Sequence, residues 1–117
     1  MILSLALACV IALIFAVLGV AKILALPAMR ELAVRSGFST AAYRRIGVLE
    51  VAGAAGVALG LVVPLFGALA GAGLLLLLAG ALTTHVRNHD ALRARAPAMV
   101  CAVLVAGYLA ALFGVRA

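Results

Sequence analysis

Apolar residues run along this chain in four long blocks, and polar residues gather between them. Residues 2–26 carry one charge, Lys22, and residues 46–63 carry one, Glu50. Further blocks cover 65–86 and 98–115. A helix needs about 20 residues to cross the hydrocarbon layer of a bilayer, and each block is close to that length. From Ile46 to Val86, a single straight helix would be about 61 Å long, roughly twice that thickness. The chain must therefore turn back, and Pro64 is the natural break, because proline is favoured in the first turn of a helix.

The polar connections have patterns of their own. Pro27 ends the first helix by removing a donor and restricting the residue before it. Within 27–38, Met29, Leu32 and Ala33 recur at helical spacing, Arg30, Glu31 and Arg35 lie between them, and Gly37 supplies a stop. That pattern predicts a short amphipathic helix lying at the interface. Ser39 or Thr40 can cap the next helix, whose first turn, Tyr43-Arg44-Arg45, belongs at the membrane surface. Residues 87–97 carry Arg87, Asp90, Arg93 and Arg95 and close with Pro97. The first block lacks a basic leader and a small-residue cleavage site, so it reads as an uncleaved anchor. The pattern predicts an all-α fold: one domain over 1–117, an antiparallel four-helix transmembrane bundle with spans at about 2–26, 46–63, 65–86 and 98–115.

Composition supports a membrane location. Of 117 residues, 69% are hydrophobic and 10% are charged, and the mean hydropathy is +1.40. A soluble domain is nearer half apolar and a quarter charged. A soluble enzyme and a disordered regulator are excluded. The net charge of +6 does not make a nucleic-acid module, because the basic residues form no face. They sort by connection instead. Arg30, Arg35, Arg44 and Arg45 follow the first span, and Arg87, Arg93 and Arg95 follow the third. Arg116 stands alone at the other end. Basic loops stay cytoplasmic, so both termini are expected outside.

Three ionisable residues fall inside or at the edge of the spans. Lys22 lies near the end of the first, Glu50 near the start of the second and His85 near the end of the third. Alternating helix direction puts all three in the cytoplasmic half, roughly 3 to 8 Å below the charged loops. Gly47, Gly53, Ala54 and Val57 share the Glu50 face, and Gly67, Gly71 and Ala81 share that of His85. Gly56–Gly60 and Gly67–Gly71 are GxxxG pairs, the small-residue spacing that lets helices approach closely in lipid. They can serve contacts within the chain or between copies.

A lone carboxylate in a span is costly, and Lys22 offers the simplest relief. Three readings stay open: a structural Lys22–Glu50 pair that fixes helix register, a polar pocket for a headgroup, a quinone or protons, and a Lys22 that snorkels to the surface. His85 either bonds Thr83, Thr84 or a carbonyl, or serves as a proton or ligand group near Glu50. His89 and Asp90 are expected in solvent. Tyr108 reads as a packed aromatic with a hydrogen bond before it reads as a quinone contact. Cys9 and Cys101 lie in opposite halves, so a bridge is not expected. No haem, zinc or iron–sulfur ligand set is expected.

Taken in order, Gly19-Val20-Ala21-Lys22-Ile23, then Tyr43-Arg44-Arg45-Ile46-Gly47-Val48-Leu49-Glu50, then the glycine-rich helix, then Ala81-Leu82-Thr83-Thr84-His85-Val86-Arg87 resemble the DoxX-like family of small four-helix membrane proteins. The resemblance covers nearly the whole chain. It implies that Lys22, Gly47, Glu50 and His85 are family-typical positions. It also implies a link to membrane redox and quinone metabolism, since the family takes its name from association with a thiosulfate:quinone oxidoreductase. A thiol-oxidoreductase role is not supported, because the chain has no cysteine pair.

The favoured expectation is a non-catalytic accessory protein or subunit in the lipid bilayer, without a cofactor of its own. A membrane oxidoreductase or a second copy is its expected partner. The alternative is a binding protein or small carrier for a quinone, lipid or other lipophilic molecule through a Lys22–Glu50–His85 cluster. An enzyme in its own right is the least supported, because no nucleophile, base and orienter fall together.

Overall fold

The computed structural model describes residues 2–90 and 92–114. Arg116 and the side chain of Arg93, two of the basic groups used for orientation, lie outside the described residues. Among the described residues there is no strand. There are five α-helices: α1 (Ile2–Ile23), α2 (Pro27–Ser36), α3 (Thr40–Leu59), α4 (Pro64–Arg87) and α5 (Leu92–Leu109). A π-helical turn at Ala110–Gly114 continues α5. The count is five rather than four because the surface connection after α1 is itself helical. Three stretches are long and apolar enough to cross a membrane: Ile2–Ile23, Pro64–Arg87 and Ala94–Gly114.

Local sequence explains most helix ends. Pro27 and Pro64 each open a helix, where a missing N–H has no intrahelical partner to lose. Ser39 caps α3 by accepting from the Ala42 N–H at 3.1 Å. Three C-terminal ends share the Schellman pattern, in which a left-handed residue folds two amides back onto the last turn. At α1, Leu26 N–H reaches Ala21 O at 3.2 Å and Ala25 N–H reaches Lys22 O at 3.0 Å. At α2, Phe38 and Gly37 bond Ala33 O and Val34 O at 2.8 and 3.1 Å. At α4, Asp90 and His89 bond His85 O and Val86 O at 2.9 and 3.1 Å. The left-handed residues are Ala25 (φ 52), Gly37 (φ 81) and His89 (φ 55), of which only glycine adopts that region without a Cβ penalty. Pro97 departs from expectation. It lies inside α5 rather than closing the connection. As the sixth residue of α5 it costs the helix one hydrogen bond, to the carbonyl four residues earlier.

α1 packs on α3 and α5, α3 on α4, and α4 on α5, while α2 rests on α3 and α1. Ile11, Phe15, Val57, Leu74, Val105 and Tyr108 form the centre of the buried cluster. Lipid is as apolar as these side chains, so close approach of helices has to hold them together. The glycines permit it. A Cβ on Gly47 would fall 2.6 Å from Gly19 O, and one on Gly19 would fall 2.7 Å from Gly47 O. Gly53 accommodates Leu74, Gly56 accommodates Ala70, and Gly71 accommodates Leu109. Gly60 and Gly67 face each other around the Tyr108 hydroxyl. All six glycines singled out in the sequence therefore meet neighbours within the chain, whereas a Cβ on Gly73 or Gly80 meets nothing.

Candidate functional site

The backbone contact between Gly19 and Gly47 builds the polar site. Gly19 meets Gly47 and Val51, while Lys22 and Ile23 meet Gly47, so α1 and α3 run in opposite directions. Glu50 lies three residues beyond Gly47, about 4.5 Å further along α3. In a helix the Cα–Cβ bond tilts towards the N-terminus. Lys22, near the end of α1, starts back along α1, and Glu50 starts towards the beginning of α3. The antiparallel pairing turns these into converging directions. Lys22 Nζ donates to Glu50 Oε1 at 2.6 Å, with the side chains 13% and 6% exposed. The lysine is folded inward onto the carboxylate, not extended to the surface.

Tyr43 completes this cluster. Lys22 Nζ stands 5.1 Å from the centroid of its ring, a cation–π distance. Phe38 also packs on Tyr43, centroid to centroid at 6.1 Å. The sequence reading left Tyr43 at the surface with Arg44 and Arg45. Those two are exposed, but Tyr43 turns inward. The overlooked signal is the seven-residue spacing to Glu50, which puts the two about 20° apart on α3. Over the cluster lies a crevice too narrow for a water molecule. Lys22, Thr40 and Tyr43 line it from below and Met29, Arg30 and Ala33 of α2 from above.

His85 is placed differently from expectation. Its Nδ1 lies 2.7 Å from Asp90 Oδ2, and among the described residues no hydrogen bond joins it to Lys22 or Glu50. The turn at His89 is the cause. By folding the Asp90 amide onto the His85 carbonyl, it sets the Asp90 carboxylate beside the imidazole. Asp90 is thus paired rather than simply solvated. Thr83 and Thr84 bond back to Ala79 O and Gly80 O at 2.8 and 2.9 Å and not to His85. Arg95 Nε donates to Asp90 O at 3.1 Å, and Asn88 Nδ2 donates to Arg35 O at 3.2 Å.

Tyr108 is fully buried, and its hydroxyl donates to Val57 O at 2.8 Å. Leu61, the regular helical partner of Val57 O, bonds Ala58 O instead as α3 tightens at its end. The tyrosine thus satisfies a carbonyl that helix termination leaves free. Cys101 is partly buried and Cys9 is exposed. Both thiols are free. Among the described residues no three His, Cys, Asp or Glu side chains converge as a metal site. An apolar groove of about 750 Å3 runs along α3 and α4 between Leu49, Gly53, Gly56, Phe66, Ala70 and Leu77.

These features fit an all-α membrane protein with a Lys22–Glu50 ion pair and a hydrogen-bonded tyrosine in its interior. The sequence matches the DoxX-like family over residues 6–107, and the chain belongs to that family. Neither a search of curated proteins nor one of solved structures gave a match.

Proposed function

We propose that this protein is a non-catalytic accessory protein or subunit of the cell membrane, acting beside a membrane enzyme of redox or quinone metabolism. Its four spans are α1, α3, α4 and α5 with its π turn, arranged as an antiparallel bundle in one domain. α3 carries Arg44, Arg45 and Glu50, yet the two arginines sit in its first turns and Lys22 neutralises the glutamate. Beyond the arginines, residues 46–59 of α3 rise about 21 Å, and the turn at 60–63 completes the span. The arginine-bearing connections face the cytoplasm and both termini face outward.

The observation that carries the functional reading is the 2.6 Å Lys22–Glu50 contact. Each group answers the other, and the Tyr108 hydroxyl is likewise engaged by the backbone. The interior polar groups are committed to holding helices in register, as expected of a structural partner. Gentle purification from native membranes, followed by mass spectrometry of proteins and small molecules, tests it. A copurifying oxidoreductase supports the reading. A stoichiometric small molecule and no protein partner contradicts it.

The α3–α4 groove favours a second reading, a binding protein or carrier for a quinone, lipid or other lipophilic molecule. The groove has the volume and apolar lining of a ligand site. The polar cluster of this reading, Lys22, Glu50 and His85, stands outside the groove lining, and His85 is engaged by Asp90. Copurified quinone or lipid that disappears in Glu50→Ala supports this reading, and retention of the molecule in that variant counts against it.

A further inference from the structure

α2 joins α1 to α3 through two left-handed residues, Ala25 and Gly37. A Cβ on Gly37 would meet nothing within 4 Å, so that turn borders open space. Between the two turns only Ala33 is buried. The Arg30 Nε bond to Ala25 O, 2.8 Å, is internal to the strap and its turn. Among the described residues, a hydrogen bond from Asn88 Nδ2 to Arg35 O ties α2 to the α4 end. Beneath Met29, Arg30 and Ala33 lies a narrow crevice floored by Lys22 and Tyr43. Segments with few buried apolar groups and solvent-exposed bonds open at low free energy, well below that of global unfolding.

We propose that α2 is a strap that lifts about Ala25 and Gly37, admitting water and small aqueous solutes to the Lys22–Tyr43–Glu50 cluster, with the Asn88–Arg35 bond setting how often it lifts. This rests on the reading of Lys22–Glu50 as an interior pair just below the surface. The crevice, too narrow for water as it stands, is the space the motion widens. Ala33 is on the underside of the strap and Tyr43 is on its floor, so a lifting motion uncovers both together.

The test uses single cysteines in a Cys9→Ser/Cys101→Ser background in nanodiscs, which leave both faces accessible. Ala33→Cys reports the underside, Tyr43→Cys the floor and Val57→Cys, buried in the core, global opening. Each is reacted with a charged methanethiosulfonate reagent. Residues 33 and 43 are expected to react while residue 57 does not on the same timescale. Asn88→Ala is expected to speed both by about 2- to 12-fold, the equivalent of a net hydrogen bond of about 0.5–1.5 kcal/mol, with residue 57 unchanged. The proposal is overturned if residue 33 is as inert as residue 57, if Asn88→Ala changes neither site or only one, or if it accelerates all three equally. Should Tyr43→Cys fail to fold, amide exchange of the unaltered chain serves instead. Faster exchange in α2 than in α1 and α3 supports the strap, and equal exchange overturns it. If the strap fails while Lys22 and Glu50 remain energetically coupled, the ion-pair reading stands without it.

Discussion

Replacing Lys22 by Met removes the charge that allows Glu50 to sit in the interior. The pair is separated by 2.6 Å with side chains 13% and 6% exposed. At an effective dielectric near 20, that separation corresponds to about 6 kcal/mol of attraction, and desolvating each ion opposes it by several kcal/mol. The intact pair therefore adds little net stability, but breaking it is costly. The two partners are not equivalent. Glu50 has a short stem and lies below its own helix start, so Lys22→Met strands it, at an expected cost of about 3–5 kcal/mol. Lys22 has a four-carbon stem near the end of α1 and can extend to the surface. Glu50→Gln also keeps an acceptor, so its cost should be nearer 1–3 kcal/mol. The Lys22→Met/Glu50→Gln double variant removes both charges and should return to within about 1 kcal/mol of the parent. Reversible unfolding in mixed micelles, run as a double-mutant cycle, measures all four corners. Additive losses, with coupling below about 0.5 kcal/mol, would refute the argument that the two charges depend on each other.

Tyr108→Phe keeps the ring but leaves Val57 O without its donor. A loss of about 1–3 kcal/mol is expected in the same assay, and an unchanged midpoint would mean that another donor replaces the hydroxyl. Gly47→Ala places a Cβ 2.6 Å from a backbone oxygen of α1 and should be strongly destabilising. Gly73→Ala, into open space, should be neutral or stabilising by up to about 1 kcal/mol through helix propensity; equal effects would contradict the packing assigned to Gly47. Asp90→Ala should speed amide exchange at the end of α4 by removing the His85 partner, while exchange in the core of α1 stays unchanged. Topology reporters fused after Gly37 should be active only in the cytoplasm, and those fused after Val62 only outside; the reverse pattern would invert the proposed orientation.

Much of this fold is written locally. Apolar block lengths, Pro27 and Pro64 as helix openers, Ser39 as a cap and Gly37 as a stop act through backbone sterics and hydrogen bonds within a few residues, so a linear reading finds them. The similar depth of Lys22 and Glu50 follows in the same way from counting residues in antiparallel helices. What the chain alone left open is partner choice. Tyr43 points to Lys22 and not to water because the Gly19–Gly47 contact fixes how α3 is rotated against α1. His85 meets Asp90 because a left-handed turn at His89, a residue type that gives little warning of one, folds the chain back. Tyr108 finds Val57 O across 51 residues because Gly60 and Gly67 leave room for its hydroxyl. Helix periodicity places a side chain on a face, but which neighbour that face meets depends on the rotation and offset of whole helices. Those are set by the sum of many close contacts between distant segments, and only the tertiary structure decides them.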